Sequence, residues 1–277
     1  MHVDVNGRRI WFDVSGPALV PEGDTMRERP TVVLLHGGPG GYDHSYFKPD
    51  FERLTEVAQV VYVDVSGHGR SQLADPATWT FELAADDVQA FCDAAGIAPI
   101  VYGHSLGAMI AAAYAARHPD HPRALVLQSG MGRYDLQRIV EGFRRFGGDD
   151  VAAIAERSYG GTPPEVTPEE WERCRVVFGP RVLSDDARKR MLSVDLGEPA
   201  LEQLRSFDVL DGLAAVRCQT LVCVGELDPV TPVAAAEELA AALPNSRLEV
   251  IGGAGHWTWK DAPDRYWPLL TEFVSRV

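Results

Sequence analysis

Six short, mostly apolar runs constrain this chain more than anything else in it: Thr31–Leu35, Gln59–Val63, Pro99–Tyr102, Ala124–Leu127, Thr220–Val224 and Leu248–Ile251. Each predicts a strand, and Thr31–Leu35, Gln59–Val63 and Ala124–Leu127 are continuous enough to predict strands covered on both faces. Stretches with helical spacing lie between them. Thr80 caps one expected to end near Gly96, and His118-Pro119 stops another over 108–117. Others are expected near 47–55, over 232–243 behind Thr231, and over 261–276. Strand–helix alternation of this kind predicts an α/β fold with a mostly parallel, doubly wound sheet. In such a sheet functional groups gather at the carboxyl ends of the strands.

Two regions depart from the alternation. Residues 2–15 alternate in the manner of a half-buried strand and are broken by Asn6-Gly7, a strong hairpin signal, after which a loop is expected through Pro30. From Met131 to Arg205 amphipathic segments (Leu136–Phe146, Val151–Ser158, Glu169–Val177) are separated by Gly-Gly and Pro-Pro breaks, with no strand signal. This stretch predicts a helical cap over 131–205, inserted into a core formed by 1–130 and 206–277. No internal repeat is visible.

A net charge of -14 removes nucleic acid and anionic membrane from the candidate partners, because both require a basic face. No basic segment followed by an apolar run opens the chain, and no apolar stretch is long enough to span a bilayer. The four cysteines, Cys92, Cys174, Cys218 and Cys223, show no C-x-x-C spacing. A reduced, cytoplasmic protein with neither disulfide nor zinc is expected, acting on a small molecule or a short peptide.

The chemistry lies where the predicted strands end. Gly103-His104-Ser105-Leu106-Gly107 follows one run and opens an alanine-rich helix. A serine at such a corner exposes its Oγ, and the next N–H groups face outward at a helix start. A hydroxyl needs a base to take its proton, and the base needs a third group to orient it. His256 follows the last strand in Gly252-Gly253-Ala254-Gly255-His256 and is the expected base. Asp228, in Gly225-Glu226-Leu227-Asp228-Pro229, is the expected orienting acid, with Glu226 its nearest rival. His104 adjoins the serine in a tight turn, and its side chain is expected to point elsewhere. The N–H of Leu106 and that of Gly38, in His36-Gly37-Gly38-Pro39-Gly40-Gly41, are the expected donors to an oxyanion. That glycine run is not G-x-G-x-x-G and lacks G-K-[ST], so it does not predict nucleotide binding. Ser66-Gly67-His68-Gly69-Arg70-Ser71 is expected to be a structural turn.

Together the His36–Gly41 run, Asp64 with Gly67–Ser71, the Gly103–Gly107 corner, Gly225–Asp228 and Gly255-His256 resemble the α/β-hydrolase superfamily over nearly the whole chain. The H-G-G-P-G-G run followed by Tyr42-Asp43-His44 is most similar to the proline iminopeptidase-like group. The resemblance implies an acyl-enzyme on Ser105, a helical cap and no cofactor or metal. That group usually carries G-G-S-W-G at the corner, whereas this chain has G-H-S-L-G, a form commoner among esterases and lactonases. Its members also hold the substrate amine with cap glutamates, for which Glu141, Glu156 and Glu165 are the candidates here. An ester, lactone or amide is the expected substrate, in a pocket shaped partly by Tyr42 and Trp257. A cofactor-free lyase or perhydrolase with the same triad, or a non-catalytic ligand-binding relative, are the alternatives.

Overall fold

The computed structural model describes residues 1–72, 75–179, 191–192 and 197–277. Its strands are β1 (His2–Val5), β2 (Arg8–Ser15), β3 (Leu19–Glu22), β4 (Thr25–Glu28), β5 (Thr31–Leu35), β6 (Gln59–Val63), β7 (Pro99–His104), β8 (Ala124–Gln128), β9 (Gln219–Gly225) and β10 (Ser246–Ile251). Among the described residues eight of them form one sheet in the order β1-β2-β6-β5-β7-β8-β9-β10. The β1–β2 and β2–β6 pairs are antiparallel, and every pair from β6 to β10 is parallel. The six apolar runs are the parallel strands. Residues 32–35, 60–63 and 99–104 are buried throughout, as continuous hydrophobicity requires of strands covered on both sides.

The first turn forms at Asn6 and Gly7, both at positive φ (49° and 75°), the conformation a two-residue hairpin turn needs. The loop expected through Pro30 instead contains a second hairpin, β3 with β4, outside the main sheet. Both of its strands are short and largely exposed, so no buried face left a hydrophobic pattern to read. The helix expected near 47–55 is two 3₁₀ segments, His44–Tyr46 and Asp50–Glu56, with Pro49 at the start of the second. Helix α1 (Phe81–Ala95) starts at Thr80, whose side chain accepts from Leu83 N–H, and ends at Gly96 in the left-handed conformation. The final helix is divided at Ala262-Pro263 into Thr258–Asp261 and Pro263–Arg276.

Between β8 and β9 the chain makes a helical excursion. The span α3 (Leu136–Gly160) is broken at Gly148, whose φ of 80° and ψ of -179° are not helical, so the Gly-Gly pair separates two helical segments as expected. Helix α4 (Pro168–Arg175) begins with a capping box from Thr167 and Glu170, and a further helix covers Gly197–Arg205. The excursion leaves and returns through a narrow neck. Tyr134 N–H donates to Phe207 C=O (2.8 Å), and Val209 N–H to Gly132 C=O (2.9 Å). Residues 180–190 and 193–196 of the expected cap lie outside the described residues.

Ser105 occupies the turn from β7 into α2 (Leu106–Arg117) with φ 55° and ψ -119°, a backbone conformation that ordinary residues rarely adopt. The flanking glycines have a steric reason. A Cβ on Gly107 would lie 2.6 Å from the His36 carbonyl oxygen and closer still to that of Leu35. A Cβ on Gly103 would lie 2.5 Å from Ala108 N. Neither obstacle is a side chain that could swing aside. Gly107→Ala is expected to cost about 3 kcal/mol or more in chemical denaturation, at or beyond the upper end of overpacking effects. Gly41→Ala, with nothing within 4 Å of its Cβ, should change stability by less than about 0.5 kcal/mol. Equal stability of the two variants would contradict the close-approach argument.

Candidate active site

Loops after four parallel strands meet at one end of the sheet. They enclose, with the helical excursion, a cavity of about 470 Å³. Ser105 and Leu106 come from the β7 turn, Gly37, Gly38 and Tyr42 from the segment after β5, Val230 and Thr231 from that after β9, and His256 and Trp257 from that after β10. Tyr134, Ile139, Tyr159, Trp171 and Phe178 cover them from above. The strand-end rule thus brings the sequence-predicted residues together.

His256 and Asp228 form a buried pair, with Nδ1 2.8 Å from Oδ2. The carboxylate accepts three further hydrogen bonds: Oδ1 from the N–H of Val230 (2.9 Å) and Thr231 (3.0 Å), Oδ2 from Thr231 Oγ1 (2.8 Å). Burial alone would push the Asp228 carboxyl up. Attraction to His256 and donation from His256 and Thr231 outweigh it and hold the group below the usual carboxylate range. Because an ionised carboxylate only accepts, Nδ1 carries the proton and Nε2 is left bare as an acceptor. Glu226, the rival acid, is exposed and instead accepts from Gly253 N–H at 3.0 Å.

The glycine loop after β5 is held by rings. Gly37 N–H donates to the Tyr46 hydroxyl (2.8 Å), and Gly40 N–H to His68 Nε2 (3.1 Å). Among the described residues no hydrogen bond engages the Gly38 amide. A Cβ at Gly38 would lie 2.8 Å from Leu106 Cδ2 and 3.0 Å from His68 Nε2, so only glycine fits there without displacing them. The loop over Ser66–Ser71 wraps Asp64, whose Oδ1 faces His44 N (3.0 Å) and His44 Nδ1 (2.6 Å) and whose Oδ2 accepts from Arg70 N–H (2.9 Å). Donors of the protein itself thus occupy that carboxylate.

Tyr42 and Trp257 both line the cavity. Trp257 also stacks on Phe178 (centroids 5.6 Å apart), and Tyr42 packs edge-on to Tyr46, so each has a structural role as well. Sequence reasoning missed three contacts. Phe178 C=O, just beyond α4, accepts from His256 N–H at 2.6 Å. Tyr46 reaches the glycine loop after β5, and His104 turns under the His256 loop, with its Nε2 3.0 Å from His256 C=O. No local pattern marks any of them.

Burial depresses the basicity of His36, His68 and His104, and for His68 it brings the pKa down to about 3. His68 must stay neutral to accept from Gly40. Protonation in the unfolded chain starts near the ordinary histidine value of about 6.5, whereas the folded ring resists until about 3. The folded state is therefore favoured fully above about 6.5, and this stabilisation is lost as pH falls from there towards 3. Between pH 7 and pH 5 one such histidine removes about 2 kcal/mol. His68→Asn should lose less stability than wild type over that interval, by about this amount, in urea titrations at both pH values. Equal losses would place the acid sensitivity elsewhere.

A family model for the alpha/beta hydrolase fold matches residues 30–165. A putative carbamate hydrolase RutD from Caulobacter sp. (strain K31) is 28% identical over 261 residues, spanning 91% of this chain and 93% of that protein. A proline iminopeptidase from Thermoplasma volcanium is 25% identical over 305 residues, spanning 99% and 96%. The crystal structure of the enol-lactonase from Burkholderia xenovorans LB400 superposes with a TM-score of 0.71 at 23% identity, covering all of both chains.

Proposed function

The chain is a hydrolase of the α/β-hydrolase fold, and on that premise we propose that it cleaves uncharged, largely apolar esters or lactones through an acyl-enzyme on Ser105. The observation that carries this reading is the buried His256–Asp228 pair opening on the same cavity as a serine at a strained strand–helix turn. Ser105 Oγ attacks the substrate carbonyl while His256 Nε2 takes its proton. The developing oxyanion accepts from the N–H groups of Leu106 and Gly38, each worth about 2.7–4 kcal/mol in reactions of this kind. His256 then protonates the departing alcohol and activates the water that releases the acid. Asp228 keeps the ring in the right tautomer and stabilises the imidazolium.

Substrate class follows from the cavity wall. Residues of the 131–205 cap supply aromatic and aliphatic surface there, with Tyr42 and Trp257 nearer the reacting carbonyl. A protonated substrate amine needs a buried counter-charge. Among the described residues no Asp or Glu lines the cavity, and Arg205 at its wall is paired with Glu198. Glu141 is exposed and pairs with Arg144, while Glu156 and Glu165 are exposed. These features favour an ester or lactone over an aminoacyl amide. The chemistry needs no cofactor or metal. The free thiols at Cys92, Cys174, Cys218 and Cys223 fit a reduced, cytoplasmic setting. Among the described residues no helix is long and apolar enough to cross a membrane.

Ser105→Ala is expected to lower p-nitrophenyl ester turnover by at least about 10³-fold with the fold intact. A fluorophosphonate should form its adduct on Ser105, as read by peptide mass spectrometry. Short acyl esters and lactones should be hydrolysed with kcat/KM at least about tenfold above that for a prolyl-arylamide. Preference for the arylamide would return the reading to aminopeptidase. Turnover that survives Ser105→Ala would overturn the nucleophile.

A further inference from the structure

We infer that His104 is a positioning residue which, with Tyr46, fastens the loop carrying one oxyanion donor to the loop carrying the base. This rests on the serine-hydrolase reading above. His104 is the last residue of β7 and directly precedes Ser105; it belongs to the cavity lining, yet it is only 2% exposed. Its Nδ1 lies 2.7 Å from the Tyr46 hydroxyl and its Nε2 3.0 Å from the carbonyl oxygen of His256. The hydroxyl in turn accepts from Gly37 N–H at 2.8 Å.

Proton ownership along this chain is fully determined. A carbonyl oxygen only accepts, so Nε2 carries the proton and Nδ1 is the bare nitrogen. The hydroxyl proton of Tyr46 must then point to Nδ1, which leaves the oxygen lone pairs for Gly37 N–H. Every donor meets an acceptor from the backbone of Gly37 to the backbone of His256, and the ring in the middle is neutral. Burial, which drives His104 well below ordinary histidine basicity, keeps it so. Because the His256 ring is 4.9 Å away, a charge on His104 would oppose the imidazolium that catalysis requires.

The chain of bonds also sorts the two amides of the glycine loop. Gly37 is committed to Tyr46, and its neighbour Gly38 is the one left to meet an oxyanion. The same ring therefore sets the height of the donor and of the base. The His256 carbonyl has a second donor, Ser129 Oγ at 3.2 Å, so losing His104 should let the base loop shift without releasing it. A residue that merely filled space would be replaced by any side chain of its size. A positioning residue demands the hydrogen bonds.

The test compares His104→Leu, Tyr46→Phe and His104→Gln, the last retaining an amide that can donate towards His256 C=O. His104→Leu and Tyr46→Phe are expected to lower kcat for a p-nitrophenyl ester at least tenfold with KM within twofold. Phosphonylation of Ser105 by a fluorophosphonate should slow by a similar factor. His104→Gln should recover kcat to within threefold of wild type. Wild-type kcat and labelling rates in His104→Leu or Tyr46→Phe would overturn the inference. So would a loss confined to KM or melting temperature, or a His104→Gln variant no better than His104→Leu. If His104→Leu does not fold, Tyr46→Phe alone decides, since it removes one oxygen and keeps the ring. Turnover persisting in Ser105→Ala would instead overturn the hydrolase mechanism itself, whereas an inert Ser105→Ala beside unaffected Tyr46→Phe would remove only the positioning role.

Discussion

Helix α2 lies closer to strands β5 and β7 than any side chain permits, and the site follows from that approach. With glycine at 103 and 107, backbone meets backbone at the turn, and no other residue fits without shifting main-chain atoms. The turn forces Ser105 to positive φ, a strain sustained because β7 is paired on both sides and buried along its length. One consequence is geometric. The start of α2 is delivered to the end of β5, where Gly38 packs against Leu106. The serine and both candidate donors are thus brought near one another by this close contact.

Polar contacts then fix what packing leaves adjustable, and the residues used are buried histidines. His36 accepts from Val65 N–H (3.1 Å), His68 from Gly40 N–H, and His104 from Tyr46. A neutral imidazole has one donor and one acceptor on a rigid ring, so it can bridge two loops at a set distance. A lysine or carboxylate there would carry a charge that the low-dielectric interior penalises. These three rings are the reason the loop ends hold position although they contain so many glycines.

How much of this was legible in the sequence depended on the range of the interaction. Strands β5 to β9 could be read because burial on both faces writes itself as a nearly unbroken apolar run. Ser105, Asp228 and His256 could be named as candidates because each sits within a few residues of such a run, in a glycine-rich or acidic context. The β3–β4 hairpin could not, since exposed strands leave no hydrophobic pattern, whereas the break in α3 was announced by its Gly-Gly pair. Tyr46 and His104 are 58 residues apart, and His104 and His256 are 152 apart. Nothing local distinguishes those side chains from any buried tyrosine or histidine. Residue type was sufficient to name the candidate nucleophile and its partners, whereas the members that hold them emerge only when the loops are placed in space.

The helical excursion is tied into the same framework, which links the cavity wall to the candidate base. Phe178 touches the site twice: its carbonyl accepts from His256 N–H, and its ring stacks on Trp257 at the cavity wall. Gly179 and Gly255 pass so near each other that a Cβ on Gly179 would lie 3.0 Å from Gly255 Cα. Gly255 is itself held by Asp261, which accepts its N–H at 2.8 Å. Displacing the segment beyond α4 therefore displaces the backbone of the base along with the wall of the pocket. On the proposed mechanism, a substrate too large for the cavity would be opposed through the alignment of His256 as well as through exclusion, so discrimination would fall on kcat and KM together. In a cap joined to the core by its neck alone, pocket shape could vary without touching the base. Here the hydrogen bond between Phe178 and His256 forbids that independence.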